Sequence, residues 1–208
     1  MEAPLSAREG ILSDIRARRV RSAPRPSPYR LPDLPKESVA QFTDRARAAG
    51  ADVRQIANPD EIPAAIANAL RERNLSAVVH LPPDTKAEAL RWDSVPGITL
   101  CHDAPGPDDA ALSFVPYAIG ETGTLAFASS AERPASWHFR PGLEIAVVYA
   151  SAILPHLEEV LSAVKASGTT PHTVNLVTGP SRTGDIEQTL ELGAHGPKAL
   201  VVLVVDDA

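Results

Sequence analysis

Thr178-Gly-Pro-Ser-Arg-Thr-Gly-Asp-Ile-Glu-Gln-Thr-Leu-Glu-Leu-Gly-Ala-His-Gly-Pro197 lies between two apolar runs, Thr173-Val-Asn-Leu-Val177 and Ala199-Leu-Val-Val-Leu-Val-Val205. Each run reads as a buried strand. The stretch itself opens on glycine and hydroxyl residues, which predicts a turn. Gly193 and Gly196-Pro197 then act as stop signals for a short helix before them. Strand, turn, helix and strand form one βαβ unit, and such units carry their chemistry at the strand-to-helix turn. Ser181, Arg182 and Thr183, with the free N–H groups of a helix start, can cradle an anion there. A cap by Thr183 or Asp185 accounts for one or two of these residues. It leaves an arginine and two glycines unexplained.

Working outward, the same rhythm recurs. Ser38 to Ala49 reads as a helix closed by Gly50, and Ala51–Ile56 as a strand. Asn58 caps a helix with Pro59 at its first position, running to about Arg73. Ser76–His80 and Gly97–Cys101 are further strands, with a helical turn or two from Asp84 to Leu90. Leu143–Tyr149 is a buried strand, and Ser151–Ala166 an amphipathic helix. Ala111–Ala118 and Gly123–Ala128 are joined by Ile119-Gly-Glu-Thr122, so short a link that a hairpin is expected. The fold class is therefore α/β, with a mixed, mostly parallel sheet covered by helices on both faces.

The first 35 residues differ in kind. Ser6 and Glu9 form a capping-box pattern before a helix to about Val20. Five prolines between Pro24 and Pro35 then make an extended linker. Six arginines and no acid lie between Ile15 and Arg30, so this arm is basic on an acidic chain whose net charge is -6. The expected division is 1–35, a basic helix and proline-rich linker, and 36–208, the α/β domain. The arm reads as a solvated basic face, or as one that docks on an acidic partner.

Composition excludes several functions. Aromatic residues are 4% of the chain and the pI is about 5.5, which argues against nucleic-acid binding. No apolar run approaches a membrane span, and acids interrupt any signal-peptide core near the start. A cytoplasmic location is expected. One cysteine, Cys101, allows neither an internal disulfide nor a cysteine-ligated iron–sulfur cluster held by this chain alone. The six histidines show no helical zinc spacing, so no metal site is expected. Gly120-Glu-Thr-Gly-Thr124 places a carboxylate at the tip of a tight turn between strands. Its glycines permit close backbone approach, and a solvated glutamate is the plain alternative. His195, just past the expected helix, can cap its carbonyls or reach a ligand.

Glu121-Thr-Gly-Thr124, then Gly179-Pro-Ser-Arg-Thr-Gly-Asp-Ile-Glu187 and Gly193-Ala-His-Gly-Pro197, resemble the LUD domain family, typified by lactate-utilisation protein C. Arg8–Ile15 resembles that family's N-terminal helix. Ser113–Ile119 departs from the approach many relatives have to the Glu-Thr-Gly-Thr turn. The resemblance implies the NagB/RpiA/CoA-transferase-like fold, and a subunit role in oxidising L-lactate to pyruvate beside iron–sulfur partner proteins. No cofactor is then expected on this chain, the clusters belonging to the partners. The expected ligand-binding residues are Thr122, Gly123, Thr124, Gly179, Ser181, Arg182, Thr183, Asp185, His195 and Gly196. The alternative is an independent enzyme or binder of a small phosphate or carboxylate, with Glu121 as base or nucleophile.

Overall fold

Ser6 and Glu9 close on each other as the capping pattern predicts. The Ser6 amide and hydroxyl both donate to the Glu9 carboxylate, at 3.0 and 2.8 Å. They open α1 (Ala7–Arg18). A computed structural model describes residues 6–18, 27, 38–184 and 190–207 of the chain. It divides into two units, Met1–Pro32, which holds α1, and Asp33–Ala208, which holds every other element. Apart from Ser27, the proline-rich linker expected over residues 21–35 lies outside the described residues.

The second unit begins with α2 (Ser38–Ala48), whose Phe42 and Ala46 face inward. Gly50 ends it in the left-handed region (φ 94°), with Ala51 N–H donating back to the Ala46 carbonyl. The chain turns into β1 (Asp52–Ile56). The Asn58 side chain accepts from the Asp60 amide, and a 3₁₀ turn from Pro59 leads into α3 (Ile62–Glu72). Then follow β2 (Val78–His80), α4 (Thr85–Glu88), β3 (Thr99–Cys101), β4 (Ala110–Phe114), β5 (Tyr117–Ile119) and β6 (Thr124–Ala128). The chain continues through α5 (Ser136–Phe139), β7 (Leu143–Tyr149), β8 (Ile153–Leu154), α6 (Leu157–Ala166), β9 (Val174–Val177), β10 (Arg182–Gly184), β11 (Leu190–Leu192) and β12 (Ala199–Val205).

Six strands form a wholly parallel sheet in the order β1-β12-β7-β4-β2-β3. Alternate residues of β12 serve two cores, because successive side chains on a strand point to opposite faces. Val201, Leu203 and Val205 pack with α3, while Leu200, Val202 and Val204 pack toward α2 and a second sheet. That second sheet runs β8-β5-β6-β9 and is mixed. Val160 and Val164 of α6 pack on its far side with Ile119 and Ala126. Helix, parallel sheet, second sheet and helix thus stack around three successive cores. The α/β class and the helices on both faces agree with the sequence.

Three local expectations are corrected. The run from Ala111 divides at Val115-Pro116, because proline has no N–H for a continuing ladder. Its first part, β4, stays in the parallel sheet. Beyond the proline, β5, which takes in Ile119 of the expected link, forms the expected hairpin with β6 in the second sheet. The helix expected from Ser151 starts at Leu157, after Pro155, and Ile153–Leu154 is a strand. The short helix expected after Thr183 is replaced by an antiparallel pair, with Arg182 opposite Leu192 and Gly184 opposite Leu190. Arg182-Thr-Gly and Leu-Glu-Leu lack an apolar stripe of helical period, and Gly184 is a poor helix former. The free helix-start amides invoked for anion binding are therefore absent at Thr183. Asp185 lies outside the described residues.

Candidate functional site

Each of the two glycine-bearing turns is built on α2. Gly123 is left-handed (φ 67°), and a Cβ there would overlap the backbone nitrogen of Ala46. Gly179 (φ 72°) is pressed in the same way against the Ala49 carbonyl. These glycines allow close backbone approach, but to a helix of the same chain. β6 and β9 are antiparallel neighbours, with Leu125 opposite Val177, so the two turns meet at one end of the second sheet. A hydroxyl chain joins them. Thr124 Oγ1 lies 2.7 Å from Thr122 Oγ1 and 2.7 Å from Thr178 Oγ1.

In the first turn the polar groups are engaged. Glu121 Oε2 lies 2.9 Å from His156 Nδ1, and Oε1 accepts from the Leu157 amide at 3.4 Å. Leu157 is the first residue of α6, and the His156 side chain makes no cap bond to that helix. The Glu121 carboxylate therefore sits where a helix start favours negative charge. It does not line the cavity beside the second turn.

The second turn is laced to the loop before β12. Ser181 N–H donates to the Pro197 carbonyl at 2.9 Å, and Gly193 N–H donates to the Ser181 carbonyl at 3.1 Å. The His195 amide reaches Ser181 Oγ at 3.4 Å. Between these segments opens a cavity of about 390 Å³. Gly179, Ser181, Arg182, His195 and Gly196 line it, bringing together five residues that the sequence singles out. Arg182 is exposed and passes beside Gly50, where a Cβ would meet its guanidinium. Among the described residues it has no carboxylate partner. An arginine fork with free donors, beside a serine hydroxyl, suits a carboxylate or phosphate. Thr122, Gly123 and Thr124 support this cavity through Thr178 and do not line it.

Behind one wall lies a buried polar group that sequence reasoning missed. Glu144 of β7 is 0% exposed, His138 1% and Ser113 3%. Ser113 Oγ donates to Glu144 Oε1 at 2.7 Å, and His138 Nδ1 lies 2.8 Å from the same oxygen. The His138 ring stacks on Phe127 with centroids 3.6 Å apart. A carboxylate is costly to bury unless paired and hydrogen-bonded. Both partners engage Oε1, while Oε2 and His138 Nε2 are buried without a hydrogen-bond partner among the described residues. His138 also lines the cavity, so the group fixes its wall. The signal was one glutamate in the otherwise apolar strand Leu143-Glu-Ile-Ala-Val-Val-Tyr149. His138, in the short helix α5 of an otherwise polar stretch, carried none.

Comparison with known proteins covers this same region. A family model for the LUD domain matches residues 108–205. That segment, just under half of the chain, is similar to a LUD domain. The matched segment holds Glu121, His138, Glu144 and the whole Thr178–Pro197 stretch, while α2 lies outside it. The chain is 30% identical to "Lactate utilization protein C" of Geobacillus thermodenitrificans over 141 residues, 65% of this chain and 58% of that one. It is 35% identical to "Lactate utilization protein C" of Bacillus subtilis over 129 residues, 60% of this chain and 53% of that one. An "Uncharacterized protein YkgG" of Escherichia coli is 27% identical over 171 residues, covering 80% and 73%. The match spans about half the length of the curated relatives that carry the lactate-utilisation name. The crystal structure of a DUF162 family protein from Deinococcus radiodurans aligns with a TM-score of 0.60 at 27% identity. It covers 84% of this chain and 99% of that one. No helix among the described residues is long and apolar enough to cross a membrane.

Proposed function

We propose that this chain serves lactate utilisation, as the anion-holding subunit of a system that oxidises L-lactate to pyruvate with iron–sulfur partner proteins. The observation that carries the reading is the coincidence of two regions. The segment that matches the LUD domain model is the one that, apart from Ala49, lines the Ser181–Arg182 cavity, and the relatives named for lactate utilisation match about two thirds of the chain or less. A small carboxylate suits that cavity, with Arg182 as a two-pronged charged donor and Ser181 as a neutral one. Electron-carrying clusters fall to the partners, because one cysteine cannot supply the ligand set of a cluster. The chain then holds no iron of its own.

Reconstitution tests this. The chain alone should not reduce an artificial electron acceptor with L-lactate. Addition of the iron–sulfur partners should produce lactate-dependent reduction, and Arg182→Ala should lower it at least ten-fold at limiting lactate. Partners that work equally well without the chain, or a full iron–sulfur cluster in the purified chain, would overturn the proposal.

A further inference from the structure

In the parallel sheet the chain moves in two directions from one point. From β2 it steps outward to β3, whereas from β4 it steps through β7 to β12 on the other side. Such a reversal opens a crevice at the carboxyl ends of the two strands between which it occurs, and open α/β sheets bind ligands there. Here those strands are β2 and β4. Near this place, beyond the carboxyl end of β4, lies a cavity of about 300 Å³, lined by Pro116 and Tyr117 just after β4, by Lys86 of α4, and on its other sides by the loop after β6 and the end of α6. It is separate from the Ser181–Arg182 cavity, whose His138 and Pro197 precede β7 and β12 at the amino ends of the strands.

Its chemistry is one-sided. Lys86 and Arg133 line it with the hydroxyl-bearing Tyr117, Ser129, Ser130 and Thr169, and among the described residues no aspartate or glutamate does. The Lys86 ammonium lies 5.9 Å from the Tyr149 ring centroid, at the carboxyl end of the neighbouring β7. Among the described residues neither cation has a carboxylate partner. Among the described residues the buried Arg133 Nε has no hydrogen-bond partner. A buried donor left unpaired is costly. The backbone beside it is fixed, with Arg133 N–H donating to Ser130 Oγ at 3.2 Å. A carboxylate would match one cation. Two cations with several hydroxyl donors match a tetrahedral dianion, which offers three acceptor oxygens.

We propose that this cavity, between Lys86 of α4, the carboxyl end of β4 and the Ser129–Arg133 loop, is a second ligand site, which holds the phosphate group of a small phosphorylated molecule between Lys86 and Arg133. This inference does not depend on the lactate reading, because it uses neither Arg182 nor Ser181. The test is titration of the full chain with inorganic phosphate, followed by calorimetry and by the amide and arginine Nε–H resonances. Saturable binding should shift Ser129, Ser130 and the Arg133 Nε–H. Lys86→Ala and Arg133→Ala should each weaken the binding read from these resonances at least ten-fold, and Arg182→Ala, which removes any phosphate held in the first cavity, should leave that readout within two-fold of the parent. Arg133→Lys, which keeps the charge but loses the fork, should retain part of the affinity. Binding at these resonances that survives both alanine changes, such binding abolished by Arg182→Ala, or no phosphate binding at millimolar concentration would each overturn the assignment.

Discussion

The turns at Gly120–Thr124 and Thr178–Arg182 look alike in sequence. Each has glycine, hydroxyls and one charged residue, and each rests its left-handed glycine on α2. They differ in what remains after packing. In the first, Glu121 is held by His156 and the start of α6, and the Thr122 and Thr124 hydroxyls bond within the protein. In the second, the Arg182 guanidinium faces a cavity without a carboxylate partner among the described residues. A motif of reactive residue types becomes a binding surface only where folding leaves donors unspent. Glycine needed for close approach does not say whether a ligand or a helix is the neighbour.

The largest expected effect removes what the turns share. Gly123→Ala puts a Cβ into the Ala46 backbone at a positive φ, and it should cost about 3–4 kcal/mol of stability in urea denaturation. A change below 1 kcal/mol would mean that α2 does not press on the first turn.

Arg182→Ala probes the difference between the turns. It should weaken binding of a small carboxylate by about 1.5–3 kcal/mol, the range for charge-assisted hydrogen bonds, while changing thermal stability by less than about 0.5 kcal/mol. Loss of stability with unchanged binding would make the second turn as architectural as the first.

Glu121→Gln is the mirror experiment. It removes the negative charge from the start of α6, so a stability loss of about 1 kcal/mol is expected, with carboxylate binding unaltered. If binding or lactate-dependent turnover collapses while stability holds, the first turn is chemical after all.

The smallest effect comes from outside both turns, at the strand into which α2 leads. The hydrogen bond from Arg54, opposed by partial burial and supported by Arg73, holds the Asp52 carboxyl below the usual aspartate range. A carboxyl lowered in the folded state stabilises it fully above the ordinary value of about 3.9, and that contribution fades as pH falls through the native value. Asp52→Asn should therefore lower the melting temperature slightly at pH 7, and the difference should shrink below about pH 4. A difference that grows in acid would reverse this assignment.

Much of this architecture was legible because burial imposes period. Apolar runs at Leu143–Tyr149 and Ala199–Val205 read as interior strands, and both are central in the parallel sheet. Asn58-Pro59 and Ser6-x-x-Glu9 marked helix starts because caps are local chemistry. The second sheet was not legible as a separate layer. The residues from Ala111 to Ile119 form a nearly continuous strand pattern, and only tertiary context assigns its halves to different sheets. The hairpin of β10 and β11 was misread because Gly193 and Gly196-Pro197 punctuate a helix and a hairpin equally well. At the site, Ser181, Arg182 and His195 stood out by type and spacing. His138 did not, since its role depends on Glu144 and Phe127, which reach it through the fold.

The edge position of β1 has a kinetic consequence. Its ladder partner is β12, so Asp52 waits for Val201 before the sheet closes. During synthesis β1 is made early, and its partner follows only after every other strand of that sheet. Until then β7 has an open flank, and the two apolar layers that β12 separates cannot be completed. Closure of so long a loop before any ladder energy is gained makes folding slow. The nascent protein meanwhile exposes an unpaired parallel edge, the kind of surface that chaperones shield and that aggregates when left alone.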